Sequence, residues 1–263
     1  MAIRPVAIAA VTLCVLAPPP AGALEKPSAH QAEYRLSFLG FPIARSTFVS
    51  RFSGDTFVMD GTLKSAGLAR MFDRTVAHTR VSGRLAQDGV EPLGYELNYT
   101  SGNKRQRTAI RFHNGDVVET ENVPPLKKRG ADWVPLGAGD LAAVFDPLTA
   151  AMIRADTPRA VCNRTIRAYD GEMRVNLKLG YAGMKPFSTK GFKGDVVRCR
   201  ARFEPVSGYR KGRRALDFMK NKSHMEIAFA PVGATNVYAP VTASIGTQVG
   251  TLRLYAIRFS AAD

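Results

Sequence analysis

Side chains on an extended strand point to opposite faces in turn, so apolar residues that recur at every second position are buried together on one face of a sheet. That spacing fills most of this sequence. Leu252-Arg253-Leu254-Tyr255-Ala256-Ile257-Arg258-Phe259 shows it most clearly, and it recurs in Tyr34, Leu36 and Phe38, in Phe48 with Phe52, in Phe57 with Met59, in Tyr95 to Tyr99 and in Thr108 to Phe112. Met173 to Leu179 and Val197 to Phe203 repeat it with Arg and Lys at alternate positions, as a sheet with one face towards water requires. Asn114-Gly115 and Asp170-Gly171 each supply the two positive-φ positions of a type I′ hairpin, and Gly54-Asp55 suits type II′. A mainly β, antiparallel fold follows.

Two or three short helices are expected to interrupt the strands. Leu68 to Phe72 is the first, and Lys211 to Lys220 is another, with Arg210, Lys211, Arg213 and Arg214 crowding its start, where positive charge is unfavourable unless something anionic compensates. Between them, Gly139 to Ile153 is alanine-rich, with Asp140 as a cap and Asp146-Pro147 as a second cap carrying proline at the first helical position. Leu141, Val144, Phe145, Leu148 and Met152 keep helical spacing, so Asp140 to Ile153 is expected to be a kinked helix, or two short ones, plugging one end of the sheet.

The first 23 residues carry an address rather than structure. Arg4 precedes an apolar run from Val6 to Ala17, followed by Pro18-Pro19-Pro20 and the small-residue site Ala21-Gly22-Ala23. The run falls well short of the roughly 20 residues that cross a bilayer, so a signal peptide cleaved after Ala23 is expected, with no transmembrane segment in the mature chain. Residues 24–32 then read as a loose leader and 33–263 as a single β-rich domain, in which the proline- and charge-rich stretch Asn122 to Pro135 is a long surface loop. Cleavage removes Cys14 and leaves Cys162 and Cys199 in an oxidising compartment, where they are expected to pair. On the chain-entropy model the loop they close contributes about 4 kcal/mol, less any strain.

No catalytic signature is present. The histidines His30, His78, His113 and His224 lack metal-ligand spacing, and H-E-x-x-H, C-x-x-C, G-x-S-x-G, Walker A and G-x-G-x-x-G motifs are all missing. Neither enzymatic activity nor a cofactor is expected. Of the 263 residues, 37 are Lys or Arg and 22 Asp or Glu, a net charge of +15 that favours anionic partners. Part of that charge is gathered into runs: Lys104, Arg105 and Arg107, then Lys127, Lys128 and Arg129, then Arg210, Lys211, Arg213 and Arg214. Export and the lack of aromatic residues among these runs argue against nucleic acid, which leaves an anionic envelope component as the expected partner.

The order of several landmarks resembles an exported bacterial family known as the domain of unknown function numbered 3108. The residues that carry it are Tyr34 with Phe38-Leu39-Gly40-Phe41-Pro42-Ile43, Gly61 to Leu68, Pro92-Leu93-Gly94-Tyr95, Asp146-Pro147-Leu148-Thr149, Cys162 with Tyr169-Asp170-Gly171, and Val197-Arg198-Cys199 with Pro205 to Tyr209. The resemblance implies a periplasmic protein built as a curved, incompletely closed antiparallel sheet, a spiral or broken barrel, and it supplies no catalytic residues. Three functions are then open. They are a non-catalytic scaffold or binding protein for an anionic envelope lipid or an envelope protein, a carrier of a lipid or other apolar ligand inside the open sheet, and an enzyme with a dispersed site.

Overall fold

The computed structural model of the protein describes residues 29–67, 69–72, 74–87 and 89–262. The expected signal peptide at 1–23 and the start of the expected leader lie outside these residues. Seven strands come first: β1 (Ala29–Phe38), β2 (Phe41–Ser53), β3 (Thr56–Ser65), β4 (Thr75–Ala86), β5 (Gly89–Ser101), β6 (Lys104–His113) and β7 (Asp116–Val123), with the short helix α1 (Ala69–Phe72) after β3. The two-residue strands β8 (Trp133–Val134) and β9 (Ile153–Arg154) follow. Then come β10 (Arg164–Tyr169), β11 (Arg174–Thr189), β12 (Phe192–Ser207), β13 (Tyr209–Arg210), helix α2 (Arg214–Asn221), β14 (Met225–Pro231), β15 (Val237–Thr247) and β16 (Gly250–Ala261).

The first seven strands form one antiparallel meander, and β10, β11, β12, β14, β15 and β16 form a second. Strand β16 pairs along β1, so the first and last strands meet in the middle of one sheet whose free edges are β7 and β10. The leader expected at 24–32 is corrected here. Ala29 to Ala32 already belong to β1, because alternate residues His30 and Ala32 are buried and Gln31 pairs with Ser260 and Val49 on either side.

At about 4.8 Å per strand, a flat path of thirteen strands would span roughly 60 Å. Yet Phe57 of β3, Tyr95 of β5, Phe187 of β11 and Phe259 of β16 share one buried cluster, which requires the sheet to curl. The long β11–β12 hairpin shows the curl directly. Its tip reaches β16 across the intervening β14 and β15, where Phe259 donates its N–H to the Lys190 carbonyl at 2.9 Å and Thr189 Oγ1 donates to the Ala256 carbonyl at 2.8 Å. Gly191, at φ +83°, makes the approach possible, since a Cβ there would lie 2.3 Å from that of Ser260.

The helix expected between Asp140 and Ile153 does not form, apart from one 3-10 turn at Thr149–Ala151. The reason lies at the open seam, where the unpaired edges of β7 and β10 need partners. Val117 of β7 donates to the Leu141 carbonyl at 3.0 Å, and Val144 donates to Gly115 at 2.9 Å. On the other side Phe145 donates to the Arg167 carbonyl and accepts from Tyr169 N–H, each at 2.8 Å. Residues 141–145 therefore run as a turn, with Ala143 at φ 49° and a bridge from Phe145 to Ala168 at its end, and their main-chain groups serve the two edges instead of a helix. The second cap holds: Asp146 Oδ1 accepts from the N–H groups of Leu148 and Thr149 at 2.9 Å, and Ala150 N–H bonds the Asp146 carbonyl. Asp140 instead caps backwards, accepting from Gly137 N–H at 2.6 Å.

Turn chemistry is realised at Asn114-Gly115, with φ of 51° and 80°, and at Gly54, with φ of 59°. Asp170-Gly171 differs from expectation: β10 and β11 are joined by four residues rather than two, since the Asp170 carboxylate caps the N–H groups of Glu172 and Met173 at 2.9 and 2.7 Å. Helix α2 starts after Arg213 with no side-chain cap, and Asp217 in its first turn offsets the crowded positive charge.

Candidate functional site

Inward positions of β1, β2, β3, β15 and β16 enclose a partly open apolar cavity of about 260 Å³. Tyr34, Phe48, Phe52, Met59, Leu254 and Phe259 supply most of its wall, and Leu148, Ala151 and Met152 from the seam segment close one side. Two inward positions near the wall are glycine because aromatic rings take the space a side chain would need. Gly61 lies under Phe48 and Gly83 under Phe57, and a Cβ at either would come within 2.6 Å of the ring. Polar groups on the wall are few and held neutral. Tyr34 Oη donates to the Pro240 carbonyl at 2.8 Å, and burial pushes its phenol pKa up. His30 packs edge-on against Phe259 at 4.3 Å between ring centroids, and burial lowers its pKa to about 4, so the uncharged imidazole faces the cavity at neutral pH.

A second cavity of about 600 Å³ lies on the other side of the same turn, lined by Val90, Phe145, Ala150, Ile153 and Ile166 together with Glu91, Arg154 and Arg164. Met152 is on the wall of both cavities. Arg154 leads β9 out of the seam segment, and Arg164 begins β10 after the disulfide turn. Sequence reading passed over both arginines, as neither lies in a basic run. Their only legible signal is that each interrupts an otherwise apolar or strand-like stretch.

Cys162 and Cys199 are bonded, with Cα atoms 5.7 Å apart. The bridge ties the turn between β9 and β10 to the middle of β12 within a second buried cluster that includes Ile153, Val161, Ile166 and Phe229. It therefore anchors the segment carrying Met152, Arg154 and Arg164.

The ten basic residues singled out in the sequence fall into two groups. Arg107 bonds Glu96 at 3.0 Å and also Glu121, Arg129 bonds Glu172 and lies over the Trp133 ring, and Arg210 bonds Asp132. These three charges are matched within the protein. Lys104, Arg105, Lys127, Lys128, Lys211, Arg213 and Arg214 are exposed and, among the described residues, have no carboxylate within ion-pair distance. Pairing gathers the runs. Val123 at the end of β7 sits opposite Arg107, so the loop holding Lys127 and Lys128 leaves the sheet where Lys104 and Arg105 enter it. The same loop then pairs through Trp133 and Val134 with Arg210 and Tyr209.

Comparison with known proteins bears on this geometry only through the family. The sequence matches the family described as protein of unknown function DUF3108 over residues 33–257. The chain belongs to that family. No curated protein matches it. A beta-barrel-like DUF1849 protein from Brucella abortus is similar in structure, with a TM-score of 0.44 and 9% identity over 91% of this chain and 100% of that one. A Bacteroides fragilis protein with a YmcC-like fold follows at a TM-score of 0.35 and 9% identity, covering 88% of this chain and 95% of that one. For this member of DUF3108, the sheet that stays open at β7 and β10 agrees with the incompletely closed, mainly β architecture that the family resemblance implied. Among the described residues no helix is long and apolar enough to cross a membrane.

Proposed function

We propose that this DUF3108 protein is a non-catalytic component of the bacterial envelope, exported to the periplasm, that holds an apolar ligand such as an acyl chain inside its curled sheet. The apolar cavity carries this reading. Its wall is aromatic and aliphatic, its histidine is uncharged, and the seam segment that was expected to plug it as a helix instead forms one wall of the cavity. The unmatched cations around Lys104, Lys127 and Arg213 support contact with an anionic surface from which such a ligand could be drawn.

The experiment is to purify the mature chain from envelope extract under mild conditions and identify co-purifying molecules by native mass spectrometry. A stoichiometric apolar or amphiphilic molecule is expected, and it should be lost when Ala239→Phe fills the cavity. Ligand-free protein that also fails to bind a fluorescent acyl probe would overturn the carrier reading and favour the scaffold.

A further inference from the structure

Resting on the carrier reading, we propose that the second cavity is the head-group site for the same ligand, which is therefore a single-chain amphiphile with a carboxylate or phosphate head held by Arg154 and Arg164. Two guanidinium groups line this cavity without a carboxylate partner among the described residues. Each is partly spent: Arg154 Nη1 donates to the Leu85 carbonyl at 3.2 Å, and Arg164 Nη2 donates to the Ala160 carbonyl at 2.5 Å. The Nε atoms of both are buried and bond nothing. Buried donors on a charged group are costly when left unmatched, and an anion is the partner that removes the cost.

The surroundings fit one head group rather than a surface. The cavity is partly enclosed by apolar side chains together with Asn114, Thr149 and Thr165, and among the described residues Glu91 is its one acidic lining residue, so the balance among them is two positive charges against one negative. That balance suits a singly or doubly charged head. Met152, which lines both cavities, is the partition between head and tail, and its unbranched, flexible side chain can turn aside where a β-branched residue could not. Burial lowers the Arg164 pKa from its ordinary value, which agrees with a guanidinium that lacks a resident counter-charge.

The test compares a fluorescent polyene fatty acid with the alcohol of the same chain, using the intact mature protein. Wild type is expected to bind the acid about tenfold or more tightly than the alcohol, as charge-assisted bonds to one head group warrant. In the R154Q/R164Q variant that preference should vanish while alcohol affinity and thermal midpoint stay near wild type. An acid-to-alcohol ratio near one in wild type, or a ratio unchanged in the variant, overturns the head-group site while leaving the carrier reading in place. Inorganic phosphate binding as tightly as the acid overturns the amphiphile and leaves a free-anion site. If neither acid nor alcohol binds wild type, the carrier reading fails and this inference with it.

Discussion

Arg174 donates from Nε to the carbonyl oxygen of Asp140, 3.0 Å away, and this bond joins β11 to the segment that fills the open seam. The guanidinium is buried, at 2% exposure, and its remaining donors go to the Val175 carbonyl and to Asn176 Oδ1. It makes no ion pair among the described residues, and burial together with the nearby Arg167 charge lowers its pKa to about 10, while Asp140 opposes the shift. The seam between the two free edges is thus occupied by this inserted segment and tied to β11 by one arginine, without the sheet closing into a barrel.

Replacing Arg174 with Met keeps most of the volume and removes every donor. The expected cost is about 2–4 kcal/mol in urea unfolding, since the Asp140 carbonyl loses its charged donor and the insert its anchor. A change below about 0.5 kcal/mol would show that the insert is held without it.

The disulfide should matter more. Cys162→Ala with Cys199→Ala is expected to cost roughly 2–5 kcal/mol, because the unfolded chain regains the freedom of a 37-residue separation. Thiol titration of unreduced, denatured mature protein should find none free. If Arg154 and Arg164 depend on this anchor, the double variant should also lose the preference for acid over alcohol.

Much of this fold was legible because inward residues are large and outward ones charged. Strand β16, with Leu254, Ala256 and Phe259 inward and Arg253 outward, announces itself. Strand β4 does not: its inward positions are Val81, Gly83 and Leu85, and Gly83 is small because the Phe57 ring of the neighbouring strand occupies its space. The seam segment misled for a different reason. Its apolar spacing is helical, but the choice was made by hydrogen bonds to β7 and β10, whose unpaired edges no local pattern reveals. Arg154 and Arg164 were invisible likewise, since a site assembled from β9 and β10 around a disulfide leaves no motif.

His30 gives a pH signature. Its pKa is about 4 in the folded protein against 6.5 when free, so the unfolded chain takes up a proton that the folded chain resists. Stability from this residue is therefore complete above pH 6.5, falls as pH drops, and is exhausted near pH 4, by up to about 3 kcal/mol. The His30→Phe variant should flatten that part of the profile. A wild-type curve with no change between pH 6.5 and 4.5 beyond that of the variant would refute the assignment. Acyl probe affinity should fall over the same window, since a charged imidazole against the cavity opposes an apolar tail.

The division of the basic residues into matched and unmatched predicts two kinds of variant. Neutralising Lys211, Arg213 and Arg214 to Gln should weaken co-sedimentation with anionic vesicles on the order of a hundredfold, at about 1 kcal/mol per cation near the surface, with little loss of stability. Neutralising Arg107, Arg129 and Arg210 should barely change vesicle binding and lower stability instead. Those charges are already spent on Glu96, Glu121, Glu172 and Asp132 within the protein, so their removal chiefly loosens the loop that joins β7 to β8. Exposed pairs contribute little each, so the expected loss is a small fall in the thermal midpoint for all three together. Binding should be lost with zwitterionic lipid and decline steeply with salt, because the Debye length shrinks from about 8 Å at physiological ionic strength to 3 Å at 1 M. Equal loss of vesicle binding in both variants would mean that net charge alone governs association and that the pairing seen here does not select the contact surface.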